Sequence, residues 1–247
     1  MNRILHGDCL ELLADLQDKS VDMILTDPPY GTTNCKWDTV VDLAELWKHY
    51  KRVIKDNGAI LMFAQAPFDK VLASSNLEMF RYEWIWEKTE ATGFLNSNRM
   101  PLKAHENILV FYKSLPLYNP QMTTNQKPVN SFTRKAEISN RSQIYGKVNK
   151  TISGGGSTDR YPRSVIRFAK DKQKNMRNGI LHPTQKPVAL CEYLIKTYTN
   201  ENEIVLDTFA GSGTIGVAAN NINRQCILIE KDKAWYEMCL NRLANKI

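Results

Sequence analysis

A glycine-rich turn flanked by acidic residues is one of two patterns in this 247-residue sequence whose spacing could support chemistry. The stretch from Asp207 to Gly216 reads DTFAGSGTIG, which contains the G-x-G-x-x-G spacing between a predicted strand and a predicted helix. Glycine lets a ligand approach the backbone closely. Glu230 follows Gly211 by 19 residues, where an acidic side chain could bind ribose hydroxyls. The pattern predicts a site for an adenosine-containing cofactor, and Asp207 favours a cofactor with positive charge.

The second pattern is Asp27-Pro28-Pro29-Tyr30, which directly follows an apolar stretch that predicts a buried strand. Two prolines fix the backbone and remove two N–H donors, so the local carbonyl groups are left to act as acceptors. Asp27 adds a carboxylate and Tyr30 adds a flat ring. Together these groups could bind a planar molecule through an exocyclic amine. A rigid turn after a strand is the simpler interpretation of the three residues Asp-Pro-Pro alone.

The elements that must position both patterns alternate between strand and helix along most of the chain. Open α/β sheets bind ligands at the carboxyl ends of their strands, where both patterns lie. We therefore expect an α/β fold, a Rossmann-like, doubly wound and mostly parallel sheet with helices on both faces. The predicted strands are 3–6, 21–25, 59–63, 80–86, 108–112, 203–206 and 225–229, and the predicted helices are 9–16, 43–54, 188–198, 214–221 and 233–243, with a break at Asn57-Gly58.

Charge is distributed unevenly along the chain. The net charge is +7, but residues 81–190 alone carry 19 basic and 7 acidic residues, so the remainder is mildly acidic. A basic field of this kind attracts polyanions, above all nucleic acid, although a solvated surface has the same composition. We divide the chain into residues 1–113, a basic, leucine-poor insert at 114–181, and residues 182–247, and we expect the outer two to form one domain.

Several classes of protein are not expected. The five cysteines are scattered and form no Cys-x-x-Cys pair, which argues against a disulfide framework and a cysteine-built zinc site. No apolar run is long enough to span a membrane, and the first residues do not resemble a secretory signal. We expect a cytoplasmic protein that needs no metal and does not associate with a membrane.

The two patterns together resemble the amino-group DNA methyltransferases, which methylate adenine N6 or cytosine N4. The Asp27 motif precedes the glycine loop, with a basic region between them, which is the motif order of the beta group. Residues 6–11 and 182–187 match further family motifs, and the similarity spans nearly the whole chain apart from about 115–160. The resemblance implies S-adenosylmethionine as the cofactor, double-stranded DNA as the partner and a place in DNA methylation or restriction–modification.

The resemblance also implies roles for individual residues. Glu230 would bind the ribose, Asp8 and the backbone of Cys9 would contact the adenine, and Asp207 and Asp27 would face the positive sulfonium. The residues expected to line the methionine part of the cofactor are Thr208, Phe209, Ala210, Gly211, Ser212, Gly213 and Thr214. The residues expected to close the cofactor pocket are His182, Thr184 and Lys186, with Lys186 a partner for the methionine carboxylate.

A base inside a duplex cannot reach the cofactor, so the resemblance implies that the base is flipped out. Asp27 and the Pro28 carbonyl would then accept hydrogen bonds from its amino group, with Pro29 holding the turn and Tyr30 stacking on the base. The basic insert would recognise the target. Its candidate DNA-binding residues are Arg134, Arg141, Arg160, Arg163 and Arg167.

Three alternatives remain open from the sequence. Asp at the first motif position favours adenine in the family, but cytosine N4 presents a similar planar amine. A nicotinamide-dependent oxidoreductase could share the glycine spacing, although it leaves the Asp27 motif unexplained. A non-catalytic nucleic-acid binder could retain the scaffold. Family members often form homodimers, and the sequence leaves the oligomeric state open.

Overall fold

The structure is a computed structural model that describes residues 2–31, 39–134, 152–171 and 185–244. Its contacts divide the chain into two compact units. The first, the core unit, comprises Met1–Asn119 and Ser164–Ile247, and the second, the insert unit, comprises Pro120–Arg163. The insert unit begins and ends inside the segment 114–181, and a role in target recognition for that whole segment stays a prediction.

The core unit is built on an eight-stranded sheet in the order β1-β10-β9-β2-β3-β5-β4-β8. The pairs from β1 to β3 are parallel, β5 is antiparallel to both of its neighbours, and β8 pairs in parallel with β4. These strands are β1 (Arg3–His6), β2 (Val21–Thr26), β3 (Ile54–Ala64), β4 (Phe80–Thr92), β5 (Lys103–Phe111), β8 (Val165–Phe168), β9 (Ile204–Asp207) and β10 (Gln225–Glu230). The mostly parallel α/β architecture confirms the predicted fold class.

Helices cover both faces of this sheet, which is why its central strands are apolar on both sides. One face packs against α1 (Cys9–Ala14), α2 (Leu43–Val53) and α3 (Phe68–Ser75). The other packs against α4 (Val188–Tyr198), α5 (Thr214–Asn221) and α6 (Lys233–Ala244). Within β2, Ile24 contributes to the first of these cores, whereas Met23 and Leu25 contribute to the second.

Local sequence explains where the helices near the site begin. Asp8 precedes α1 and its Oδ1 accepts a hydrogen bond from the Leu10 amide at 2.9 Å. Asp42 does the same for α2, accepting from the amides of Ala44 and Glu45. Such side chains satisfy amide groups that have no partner inside the helix, and each cap stabilises the helix by about 1 kcal/mol.

Some details of the fold differ from the sequence predictions. The predicted break at Asn57-Gly58 is wrong, because β3 runs through both residues while its register against β2 shifts. A Cβ at Gly58 would lie 2.7 Å from the Asp22 carbonyl oxygen, so the position requires glycine. Neither α3 nor β8 was predicted. β8 is a strand of four residues in which only Ile166 is buried, too little apolar pattern to predict.

The insert unit contains a pair of short antiparallel strands, β6 (Phe132–Arg134) and β7 (Ile152–Gly154). A second contact pairs Thr123 with Arg160. The Arg160 guanidinium donates hydrogen bonds to the carbonyls of Lys127, Ser157 and Asp159, so it holds the loops of this unit together. Across both units, no helix of the described residues is long and apolar enough to cross a membrane.

Candidate active site

A cavity of about 950 Å³ opens in the core unit beside the carboxyl ends of β2, β9 and β10. Its volume falls in the range of about 300–1,000 Å³ that is usual for small-molecule sites. The residues predicted from sequence that line it are Asp8, Cys9, Asp27, Pro28, Pro29, Tyr30, Lys186, Asp207, Thr208, Phe209, Ala210, Gly211, Ser212, Thr214 and Glu230. The structure therefore brings the two sequence patterns to one cavity.

The glycine loop has the backbone that its sequence requires. Gly211 and Gly213 have φ values of +50° and +77°, in the left-handed region that favours glycine. A Cβ on Gly213 would lie 2.5 Å from the Cys239 sulfur, and one on Gly216 would lie 2.6 Å from a methyl of Leu228. Gly213 does not line the cavity, so it shapes the loop and lets α6 approach.

Hydrogen bonds from both ends of the loop fix its path. The Ala210 amide donates to the Ile229 carbonyl at 2.9 Å, and the Gly211 amide donates to Glu230 Oε2 at 2.7 Å. Arg242 of α6 donates to the Ser212 carbonyl and to the hydroxyls of Ser212 and Thr214, each at 3.1 Å. Sequence reasoning missed Arg242, since nothing in its local pattern separates it from an ordinary surface base of a terminal helix.

Asp207 is buried at the end of β9, directly before the loop. Its Oδ1 accepts hydrogen bonds from the Thr26 hydroxyl at 2.7 Å and from the Phe209 amide at 3.1 Å. Burial raises the pKa of its carboxyl to about 7, opposed by these two bonds and assisted by the nearby carboxylates of Asp27 and Glu230. A carboxylate in this position would be stabilised by a cation.

A buried network of hydroxyl groups connects Asp207 to α2. The Thr26 hydroxyl lies 3.3 Å from the Thr208 hydroxyl, which in turn hydrogen-bonds to Tyr50. Burial raises the pKa of the Tyr50 phenol well above its usual range, which keeps the phenol neutral. Thr26 and Tyr50 were not predicted as site residues, because each reads from sequence as an ordinary member of a buried strand or helix.

The predicted adenosine contacts lie together at the ends of β1 and β10. Glu230 Oε2 is bonded to the glycine loop, and burial raises the pKa of its carboxyl. Asp8 caps α1 through Oδ1 and pairs with Lys231 through Oδ2 at 3.0 Å. Burial raises the pKa of the Cys9 thiol to about 12, so this cysteine is a protonated, apolar side chain.

Asp27 stands just past the end of β2, with each carboxylate oxygen bound to a different side chain. The Tyr30 hydroxyl donates to Oδ1 at 2.6 Å, and Lys186 Nζ lies 2.6 Å from Oδ2. The Tyr30 ring stacks on Phe68, with ring centroids 5.2 Å apart. Pro28 is buried and Pro29 partly buried, and the two prolines restrict the backbone of the motif.

Lys186 lies against two carboxylates in a buried position. Besides its contact with Asp27, its Nζ is 3.2 Å from Glu106 Oε2, and Glu106 Oε1 is 2.6 Å from Lys88 Nζ. Burial alone would lower the pKa of Lys186, but Asp27 and Glu106 raise it, so the ammonium form is retained. Lys88 was not predicted as a site residue, because a lysine in an aromatic-rich strand reads from sequence as an exposed charge at the edge of a sheet.

Some predicted residues lie elsewhere. His182, Thr184 and Arg141 fall outside the described residues, and the structure describes only the backbone of Arg134, in β6. Arg163 and Arg167 are exposed, whereas Arg160 is engaged with backbone carbonyls of its own unit. The described residues contain no group of three His, Cys, Asp or Glu side chains that could hold a metal.

The raised pKa of Asp207 generates a prediction about stability. The unfolded chain loses this proton near pH 3.8 and the folded chain near pH 7. Between these values the folded state binds more protons, so Asp207 makes the free energy of unfolding fall as pH rises, by at most about 1.4 kcal/mol per pH unit. Asp207→Asn should therefore flatten the fall between pH 5 and pH 7, measured by urea unfolding.

The matched control is Asp56→Asn, since Asp56 is exposed and paired with Lys19. This variant should keep the wild-type slope over the same pH range. Equal slopes for wild type and Asp207→Asn would show that Asp207 is ionised at pH 5 in the folded protein.

Comparison with known proteins assigns this chain to a family. The family model N6_N4_Mtase, described as DNA methylase, matches residues 21–241. Type II methyltransferase M.HpaI of Haemophilus parainfluenzae is 29% identical, over 98% of this chain and 74% of that protein. DNA adenine methyltransferase YhdJ of Escherichia coli (strain K12) is 28% identical, over 97% of this chain and 82% of that protein.

Solved structures agree with this assignment. The structure described as an M1.HpyAVI-SAM complex is 27% identical, with a TM-score of 0.64 over 98% of this chain and all of that one. PvuII DNA methyltransferase (cytosine-N4-specific) is 16% identical, with a TM-score of 0.68 over 99% of this chain and 93% of that one, and it supports the fold alone. The chain therefore belongs to the N6_N4_Mtase family and is a DNA methyltransferase.

Proposed function

We propose that this protein transfers a methyl group from S-adenosylmethionine to the N6 amino group of a flipped-out adenine in double-stranded DNA. The observation that carries the proposal is the position of Asp27 and the Asp207 glycine loop on the wall of one cavity. One pattern fits a cationic adenosine cofactor and the other fits a planar amine. Family membership leaves the oxidoreductase alternative without support.

The charges of the cavity support S-adenosylmethionine as the cofactor. Asp207 is buried and its hydrogen bonds come from a neutral hydroxyl and an amide, while burial raises its pKa to about 7. A sulfonium beside it would restore the ionised form that burial disfavours. The glycine loop would hold the methionine part, Glu230 the ribose, and Asp8 with the Cys9 backbone the adenine. The solved relative M1.HpyAVI is described as a complex with SAM.

The geometry of Asp27 supports an amino group as the methyl acceptor. Each carboxylate oxygen has more than one lone-pair direction, so an oxygen already bound by Tyr30 or Lys186 can accept a further N–H. Two hydrogen bonds, to Asp27 and to the Pro28 carbonyl, would draw the amine lone pair out of ring conjugation and direct it at the methyl group. Such positioning supplies a large share of the rate enhancement in a two-substrate reaction.

Adenine is favoured over cytosine on two grounds. Asp27 occupies the first position of the motif, where the family resemblance associates Asp with adenine. The relative YhdJ, 28% identical, is described as a DNA adenine methyltransferase. The alternative is cytosine N4, which presents the same amine and is modified by the PvuII enzyme, although that likeness shows the fold alone.

DNA as the substrate accords with the exposed bases at Arg163 and Arg167. A role for Arg160 in base recognition stays a prediction, but its three carbonyl contacts give it a structural role as well. A homodimer, a cytoplasmic location and a partner restriction enzyme also stay predictions.

The test of the proposal is methyl transfer from labelled S-adenosylmethionine to unmethylated genomic DNA, followed by nucleoside digestion and mass spectrometry. N6-methyladenine is the expected product. N4-methylcytosine would overturn the adenine assignment but keep the amine mechanism. Labelled DNA with neither product would contradict the proposed acceptor.

Removing the Asp27 carboxylate should separate catalysis from cofactor binding. Asp27→Ala deletes the acceptor for the amine, while Lys186 keeps Glu106 as a partner. We expect the transfer rate to fall by about 100-fold or more, and binding of S-adenosylhomocysteine by calorimetry to be retained. Asp56→Ala, which removes an exposed, paired aspartate, is the control and should leave the rate unchanged. Near-wild-type transfer by Asp27→Ala would remove Asp27 from the mechanism.

Removing two exposed arginines should weaken the salt dependence of DNA binding. Each phosphate contact contributes about 0.9 to the slope of log K against log salt concentration, so Arg163→Ala with Arg167→Ala should reduce the slope by up to about 2. Fluorescence anisotropy with a labelled duplex measures this slope. Lys19→Ala with Lys48→Ala removes two exposed bases that lie outside the basic residues 81–190, and this control should keep the wild-type slope. Identical slopes for both double variants would place DNA elsewhere.

A further inference from the structure

Four side chains of alternating charge form a row along one wall of the cavity. Lys88 Nζ lies 2.6 Å from Glu106 Oε1, Glu106 Oε2 lies 3.2 Å from Lys186 Nζ, and Lys186 Nζ lies 2.6 Å from Asp27 Oδ2. The side chains of Lys88, Glu106 and Lys186 are 3%, 12% and 8% exposed. The row thus runs from the interior of the antiparallel strands to the Asp27 motif.

The row is costly to bury, and its members stabilise one another only as a set. A buried charge without a partner is strongly destabilising, whereas a paired and hydrogen-bonded one is tolerated. Lys88 comes from β4, Glu106 from β5, Lys186 from the segment before α4, and Asp27 from the end of β2. Each of the four side chains therefore comes from a different part of the fold, and the row forms only when these parts pack together.

Lys186 has its charge divided between two carboxylates. Its ammonium group donates a hydrogen bond to Asp27 Oδ2 at 2.6 Å and forms an ion pair with Glu106 Oε2 at 3.2 Å. The rings of Phe63 and Tyr30 lie 5.1 and 5.9 Å from Nζ, within the distance at which an aromatic face attracts a cation. Glu106 is thus a second anionic partner of this ammonium group, independent of Asp27.

We propose that Glu106 is a positioning residue that anchors Lys186, and through it holds the Asp27 carboxylate in the orientation that receives the amino group of the target base. The inference rests on the proposed function and deepens it, since it adds Glu106 to the machinery of methyl transfer. Lys88 balances the charge of Glu106 and holds its other oxygen. Within this row Glu106 contacts Lys88 and Lys186, so it acts on the reacting groups indirectly.

The orientation of Asp27 is then set from two sides. Tyr30 binds Oδ1 and the anchored Lys186 binds Oδ2, so rotation of the carboxylate breaks one of two charge-assisted bonds. Without Glu106, Lys186 would be held by Asp27 alone and the pair would be free to shift together. A displacement of about 1 Å at a reacting group can cost about 100-fold in rate.

The first test compares Glu106→Gln with Glu83→Gln, a half-buried glutamate of β4 outside the cavity. Glu106→Gln should lower kcat about tenfold or more, with the KM for S-adenosylmethionine and the Kd for the DNA duplex unchanged. Glu83→Gln should keep the wild-type kcat. A wild-type kcat for Glu106→Gln, or a fall in kcat matched by a rise in both binding constants, would overturn the inference.

A double variant separates positioning from charge balance. Glu106→Gln leaves Lys88 without its carboxylate, so this variant should also lose stability in urea unfolding. Adding Lys88→Met removes the unpaired charge and should restore stability, but kcat should stay low because Lys186 still lacks its anchor. Recovery of kcat together with stability would show that Glu106 only compensates the charge of Lys88. Glu106→Asp keeps the carboxylate on a shorter side chain, so its kcat should lie between those of Glu106→Gln and the wild type.

The readouts distinguish this inference from the proposed function. If wild-type enzyme forms no N6-methyladenine, the proposed function fails whatever the variants do. If wild type forms it and Glu106→Gln forms it at the same kcat, only the role of Glu106 fails.

Discussion

The site depends on the parallel pairing of β2 with β9. Met23 pairs with Val205 and Ile24 with Leu206, which sets the ends of both strands side by side. Asp27 and Asp207 are 180 residues apart in sequence, but each follows its strand at this common edge. The Thr26 hydroxyl, at the end of β2, bonds to Asp207 and secures the junction. A break in this pairing would separate the glycine loop from the Asp27 motif.

Much of this arrangement could be predicted from sequence, because both patterns carry their own structural requirements. The left-handed backbone at Gly211 and Gly213 and the tight packing against Gly216 are properties of the residue type. Helices α4 and α5 begin and end where their apolar spacing and flanking residues predict. The carboxyl ends of parallel strands then bring the patterns to one edge, so the cavity follows from the fold class.

The residues that sequence reasoning missed act through contacts that only the folded chain creates. Arg242 lies 30 positions from Ser212 and reaches the loop because α6 packs beside it. Tyr50 and Thr208 are 158 positions apart and meet inside the core. Lys88 and Glu106 face each other across the antiparallel β4 and β5, where the register shifts. None of Arg242, Tyr50 and Lys88 has a local pattern that differs from its ordinary structural use, so spacing alone cannot identify these three residues.

Asp27 and Asp207, the two aspartates at the junction, have different electrostatic environments. This difference suits the two different ligands of the proposed reaction. Asp27 is partly exposed and already paired with the Lys186 ammonium, so its negative charge is largely compensated. Asp207 is buried, its hydrogen bonds come from neutral groups, and its pKa is raised to about 7. A compensated carboxylate suits a neutral amine, which needs an acceptor but no counter-charge. An uncompensated one suits a sulfonium, whose charge offsets the cost of burial. Under the proposed function, the electrostatics of this strand junction match the cationic cofactor to Asp207 and the acceptor amine to Asp27.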